Sequence, residues 1–462
     1  MTSTLAVVQN GPLANGAIPR KESIAHGGRL LRDDLTDYNA ASNLTFNTYI
    51  KELIKSGREV HHFGFGQSPF PIPECFVEGL KRHADRHEYL PVAGHRELAQ
   101  KIVDLHKEWD GVDHFSAERL VLGAGSKEVL YLTVNVFGGD ILLVSPSWVT
   151  YFPQCHLAGK KVLLVPTHYE DKFVPRTDVI EKMVQAETEP DRKKLLILNN
   201  PNNPTGIALT EEYLKELAAV CRRNNIIVMS DEIYARLTYK KGIQHHSLAK
   251  FYPEGTILTN GFSKWASAGG WRAGYGIFPE ELGELYKAVA SAGSHTYTCA
   301  PAPVQFSLLD GLTDNMEELE DYTFHCKKIL KALSEFVHKE LTSVGVRVLL
   351  ADGTYYMMPD FEVVRKGLLE KRGAVTGQNM CDLMLKEAAV ALMPCDPHYL
   401  RPKGELTTRL CFVNFEGTEG LQESRRRGRD KDIDQQFLRT YCSSTLKGIE
   451  ALKQWVKNYT TE

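Results

Sequence analysis

Lys194 to Asp231 reads KLLILNNPNNPTGIALTEEYLKELAAVCRRNNIIVMSD, and the order of its apolar runs decides the fold. KLLILNN, from Lys194 to Asn200, is a short continuous apolar run closed by turn residues, which predicts a strand buried on both faces. A helix is predicted from Glu211 to Asn224, and IIVMSD from Ile226 to Asp231 is a second continuous apolar run. Outward from this unit, from Arg119 to about Phe278, the alternation repeats. LVLGA leads into SKEVLYLTVNVF, ILLVSP leads into a segment opening at Trp148, and KVLLVP, TILTNGF and AGYGIF complete the set. Such a pattern predicts an α/β protein with a mostly parallel central sheet, helices on both faces, and ligands gathered at the carboxyl ends of the strands.

With 462 residues the chain exceeds what one core usually holds, so two domains are expected. The strand-rich core and its flanks predict a large domain over 83–310. A smaller discontinuous α/β domain is predicted from 31–82 plus 311–462, containing short strands such as VRVLL, TYYMMPDF and RLCFVNF. Residues 1–30, rich in Gly, Asn and Pro, predict a mobile arm that is either inert or embraces a partner subunit. They lack both a basic start and an apolar core, so no targeting signal is expected and the cytoplasm is the default.

A net charge of −3 with mixed signs along the chain argues against nucleic acid. No apolar run reaches the roughly 18 to 20 residues of a membrane span. Nine cysteines without CxxC pairs argue against a disulfide framework and a zinc ribbon. His83 and His87 have a ligand-like spacing but sit in the charged stretch KRHADRHE, where a solvated helix face is the expected reading, and no metal is expected.

Three segments carry chemistry: NNPNNPTG at Asn199 to Gly206, SDEIY at Ser230 to Tyr234, and NGFSKWASAGGWRAGY at Asn260 to Tyr275. Each begins where an apolar run ends. Lys264 lies among hydroxyl and glycine neighbours with Arg272 eight residues downstream, a setting suited to a phosphorylated aldehyde. A lysine near cationic groups and partly desolvated has a lowered pKa, so its amine is free to form an imine. GAGSKE, Gly123 to Glu128, runs from a strand into a helix, so the amides of Ser126 and Lys127 point at an anion. Ser263 and Arg272 add a hydroxyl and a guanidinium that can fork onto phosphate oxygens. Alone, GAGSKE could be half of a dinucleotide loop, but Glu128 replaces the third glycine.

Together these segments resemble the class I/II aminotransferases, the aspartate aminotransferase family of pyridoxal-phosphate enzymes with the fold type I architecture. The similarity runs from about His61 to Phe415. It implies that Lys264 binds the pyridoxal 5'-phosphate aldehyde and then shuttles a proton between substrate and cofactor. It implies that Asp231 pairs with the pyridinium nitrogen, that Tyr234 and Asn203 bond the phenolic oxygen, and that Trp148 stacks on the ring. Arg409 in TTRLCFVNF is the implied partner of the substrate α-carboxylate, with the Gly66 backbone against it. Tyr89 matches a tyrosine that reaches the phosphate of the neighbouring subunit, which implies a homodimer. Relatives often carry cis bonds where Ser145-Pro146 and Asn203-Pro204 stand here.

Three departures stand out. Gly261 occupies the place of a phosphate-binding serine, Ala268-Gly269 replaces a Met-Thr pair, and ESRRRGRDKD, Glu423 to Asp432, looks like an insertion and is expected to be a solvated loop. The expected activity is ping-pong transfer of an amino group from an L-amino acid (aspartate, aromatic or a broad range) to a 2-oxoacid. The competing expectation on the same scaffold is a β/γ-elimination or C–S lyase, similar to aminocyclopropane-carboxylate synthase or cysteine-conjugate β-lyase. Release of ammonia without an oxoacid acceptor would mark it.

Overall fold

The computed structural model describes Arg32, Leu35 and residues 42–187, 189, 192–373 and 375–460. The arm expected at 1–30 lies outside the described residues. Ala40–Glu462 is one compact unit. In the other unit, Leu35 donates its N–H to the Arg32 carbonyl.

Seven strands build the central sheet: β1 (Leu120–Ala124), β2 (Asp140–Val144), β3 (Val162–Val165), β4 (Lys194–Asn199), β5 (Ile226–Asp231), β6 (Thr256–Gly261) and β7 (Ala273–Ile277). Their spatial order is β1-β7-β6-β5-β4-β2-β3, and β7 alone runs against its neighbours. The alternation that makes β2, β4 and β5 continuous apolar runs is resolved by two layers of helix. Leu196, Leu198, Ile226 and Val228 point to one face and pack on Leu214, Leu217 and Cys221 of the helix Glu211–Arg223. Ile141, Leu143, Leu195, Ile197 and Met229 point to the other face and pack on Leu130 and Val134 of the helix Ser126–Val136, with Tyr151 and Cys155 beside them. Each fully buried leucine contributes about 1.5–3 kcal/mol relative to exposure.

The helix Glu211–Arg223 shows why the sequence reading works here. Thr210 caps it by accepting from Tyr213 N at 3.2 Å, Glu211 and Glu212 sit in the first turn and Arg222 and Arg223 in the last. Parallel register then puts the chemistry on one edge. Asn199 stands opposite Asp231, and Asp231 opposite Thr259, so the ends of β4, β5 and β6 open together.

The remaining chain adds the helices Met316–Thr342 and Ser443–Tyr459 and small strand pairs. His61–His62 runs parallel to Val390–Ala391, and Thr408–Cys411 lies between Met393–Pro394 and Tyr356–Met357. Of the short strands expected, VRVLL forms none; only Arg347 bridges, to Asp360. The charged run is also different from expectation: its first half is helical, within Thr418–Arg427, stopped by Gly428 at φ 84°. Glu423 pairs with Arg426 and Arg427 one turn on, and Arg425 and Arg429 reach Asp321 in the helix Met316–Thr342, so ion pairs near and remote in sequence order what composition alone reads as loop. All nine cysteines are free thiols. Both prolines singled out are cis, as are Pro201 and Pro397. Among the described residues no helix is long and apolar enough to cross a membrane.

Candidate active site

Asp231 closes β5 and is 3% exposed. Tyr151 Oη donates to its Oδ2 at 2.5 Å, and Oδ1 receives only a long bond of 3.4 Å from Ile233 N. Burial pushes the Asp231 pKa up to about 6, against the Tyr151 bond, which pulls it down. Oδ1 keeps capacity for a strong donor such as a protonated ring nitrogen.

Asn199, at the end of β4, fastens the next turn to this strand end. Its Nδ2 donates to the Asp231 carbonyl at 2.9 Å and its Oδ1 accepts from Asn203 N at 2.7 Å. Asn203 is thereby held with its own Oδ1 buried and, among the described residues, without a partner. Gly206, at φ 76°, ends the turn, and its carbonyl accepts from the N–H groups of Asp352 and Gly353. The segment that follows carries Tyr355 and Tyr356. Tyr234 lies three residues past Asp231, edge-on to both tyrosines, with its hydroxyl 3.2 Å from that of Tyr356.

Lys264 follows β6 and donates to the Gly66 carbonyl at 3.2 Å. Burial, helped by Arg409 and Lys127, pulls its pKa from 10.5 to about 8, while Cys411 and Asp231 oppose. An amine in that range is a usable nucleophile and base near neutrality.

At the start of the helix Ser126–Val136, Gly125 has φ 83°, and a Cβ there would meet Arg272 Nη2 at 2.3 Å. A Cβ on Gly274 would meet Ser126 N at 2.2 Å. Two glycines thus clear the helix N-terminus, and Arg272, donating to the carbonyls of Gly269 and Ala124, lies across it. A side chain at Gly261 would require movement, because a Cβ would stand 2.9 Å from Gly274 Cα. Ser263 is half-buried beside Lys264. Lys127 Nζ sits 5.0 Å from the Trp148 ring centroid, and Trp148 meets Tyr151 edge-on at 5.2 Å, joining the helix N-terminus to Asp231.

Arg409 lies on the strand Thr408–Cys411 and is 1% exposed. It donates to the Gly64 carbonyl, its Nε has no partner among the described residues, and the rings of Tyr356 and Tyr399 lie 5.0 and 5.4 Å from its guanidinium carbon. Among the described residues no carboxylate pairs with it. A buried guanidinium left so is costly unless a ligand anion completes it. Tyr89, by contrast, is 87% exposed.

These residues fit pyridoxal phosphate and an amino acid. The cleared helix N-terminus and Arg272 suit a phosphate, Asp231 a ring nitrogen, and the orphaned Arg409 Nε a carboxylate. The sequence reading missed Tyr151, although it stands three residues after Trp148, and Asn199, although it opens the quoted turn. It also missed Tyr356, for which no local signal existed.

Residues 58–419 match the family model for aminotransferase class I and II. A probable aspartate/prephenate aminotransferase of Aquifex aeolicus is 31% identical over 360 residues, covering 76% of this chain and 87% of its own length. Aromatic-amino-acid aminotransferase 2 of Thermococcus litoralis is 29% identical, covering 72% of this chain and 82% of its own. Among solved structures, aspartate aminotransferase of Thermus thermophilus with maleate superposes with a TM-score of 0.76 at 26% identity, covering 87% of this chain and 99% of that one.

Proposed function

The chain belongs to the class I and II aminotransferases, pyridoxal-phosphate enzymes that transfer amino groups, and from that premise we propose how its own residues divide the work. Pyridoxal phosphate, when bound, supplies an aldehyde for amine exchange and a ring that withdraws electrons from the substrate Cα. Ser126, Lys127, Ser263 and Arg272 hold the phosphate; Trp148 stacks on the ring; Asp231 keeps the ring nitrogen protonated; Tyr234 and Asn203 donate to the phenolic oxygen. Lys264 anchors the cofactor and, once substrate has taken its place, moves the proton from Cα. Arg409 binds the α-carboxylate.

One observation carries this reading. Lys264 Nζ and the Arg409 guanidinium bond to carbonyls of one glycine segment, Gly66 and Gly64. Two residues of chain span at most roughly 7 Å, so the two cations are tethered near one another, an arrangement suited to a carboxylate at Arg409 with its adjoining Cα toward Lys264.

The donor range proposed is broad, covering acidic and aromatic L-amino acids, with a 2-oxoacid as acceptor. Lys127 has a half-buried amine with no carboxylate partner among the described residues, suited to a side-chain carboxylate. Trp148 packs against an apolar cluster that includes Val149, Met358, Met393 and Tyr399, surroundings suited to aromatic side chains. The relatives' names, aspartate, aspartate/prephenate and aromatic aminotransferases, span the same range and favour transfer over elimination. The proposal includes a cytoplasmic homodimer in which Tyr89 of one subunit serves the phosphate of the other. It also divides the chain into a cofactor-binding domain over 83–310 and a smaller domain from 31–82 plus 311–462.

The test is the visible absorbance of the loaded protein during addition of single amino acids without oxoacid. Aspartate and an aromatic amino acid should each bleach the band stoichiometrically, and an oxoacid should restore it. Ammonia release with a persistent band would replace transfer by elimination.

A further inference from the structure

Tyr356 stands where three parts of the site meet. Its hydroxyl lies 3.2 Å from Tyr234 Oη, and its ring faces the Arg409 guanidinium at 5.0 Å. A Cβ on Gly66 would fall 1.7 Å from the same hydroxyl, so the absence of a side chain there makes room for it. The residue is 1% exposed. Its backbone is fixed as well: its N–H donates to Thr354 Oγ1 at 3.0 Å, and a Cβ on Gly206 would meet its carbonyl oxygen at 2.5 Å.

Each phenol has a single proton to give. In the protein without ligand Tyr234 Oη can spend its proton on Tyr356 Oη. Once Tyr234 donates to a ligand oxygen, it has only acceptor capacity left for Tyr356, and Tyr356 must become the donor. The bond then runs from Tyr356 to Tyr234 to the ligand, and serial hydrogen bonds of one direction polarise one another. The positive Arg409 facing the Tyr356 ring favours that direction, because a nearby cation makes a phenol a better donor.

We propose that Tyr356 is a positioning residue acting through Tyr234: it donates to Tyr234 Oη, commits Tyr234's proton to the phenolic oxygen of the cofactor, and strengthens that bond. The inference rests on the role given above to Tyr234. It goes further by making the pair, not the single tyrosine, the unit that sets the acidity of the bound cofactor. It also explains why a tyrosine hydroxyl is buried against a glycine in a place where a phenylalanine would fill almost the same volume.

The experiment is a pH titration of the visible absorbance of the pyridoxal-phosphate-loaded protein, in wild type, Tyr356→Phe, Tyr234→Phe and the double variant. Phenylalanine keeps the ring under Arg409, so packing is preserved and only the hydroxyl is removed. Tyr356→Phe should raise the midpoint by about half a pH unit, from a loss of roughly 10–30% of the strength of one bond. Tyr234→Phe should raise it more, and adding Tyr356→Phe to Tyr234→Phe should add nothing, because the effect passes through Tyr234. An unchanged midpoint in Tyr356→Phe, with Tyr234→Phe shifted, overturns the proposal and leaves the role of Tyr234 standing. So does an equal further shift in the double variant. If Tyr234→Phe itself leaves the midpoint in place, the earlier assignment fails and the proposal falls with it.

Discussion

Asp231 and Lys264 are tuned in opposite directions by the same cause, removal from water. Tyr151 is the brake on the first of these shifts. Tyr151→Phe removes the 2.5 Å bond that favours the ionised carboxylate. Burial then pushes Asp231 further up, and the acidic limb of the kcat profile should move to higher pH. A lost hydrogen bond to a charged group is worth roughly 1.5–3 kcal/mol, so kcat near neutrality should fall about tenfold or more. A pH–rate profile that overlays the wild type would refute this role. For Lys264 the sign is reversed. Its folded pKa of about 8 lies below the ordinary 10.5, so between those values the folded state binds fewer protons than the unfolded state. Stability from this group therefore rises with pH across that window and is at its lowest below it. Lys264→Met should stabilise the cofactor-free protein by on the order of 1 kcal/mol near pH 7 and by less near pH 10. Melting temperatures at the two pH values test this; equal gains at both would refute it.

At the scale of the element, the Asn199–Gly206 turn is the part that joins the sheet to the segment of Tyr356. Gly206 combines φ 76° with a backbone contact: an added Cβ would sit 2.5 Å from the Tyr356 carbonyl and 2.7 Å from Ala351 Cβ. Gly206→Ala should cost about 1–3 kcal/mol from backbone strain alone, with the clash in addition. Because Asn203 and Tyr356 shift with it, kcat should fall as well. Urea midpoints and steady-state kinetics measured together check this, and a variant with wild-type stability and rate would show that the turn bears no strain. The strands β4 to β6 and the helix Glu211–Arg223 were legible because burial on both faces, a capping threonine and end charges are local signals. Tyr356 was not, because nothing near TYYMMPDF tells that its hydroxyl meets Gly66 and Tyr234, residues remote in sequence. The charged run misled for a related reason: its order depends on Asp321, in a helix far upstream.

For the whole molecule, parallel register explains why three motifs spread over Asn199 to Tyr275 could be read as one site: strands of one direction end on one edge. Arg409 comes to that edge from a separate small sheet, and only its resemblance to relatives, not any spacing, pointed to it. Tyr89 is the residue that the single chain does not explain. A tyrosine 87% exposed is little contacted by its own subunit, and the proposed dimer gives it a neighbour's phosphate to reach. The assignment predicts complementation between two inactive variants. Tyr89→Ala and Lys264→Ala homodimers should each lose most activity. Refolded or co-expressed together, half of the dimers are hybrids, and in each hybrid one of the two sites receives an intact lysine from one chain and an intact tyrosine from the other. By two-fold symmetry the mixture should recover about one quarter of wild-type activity. If Tyr89 served its own subunit, every hybrid site would lack one of the two residues and no activity would return.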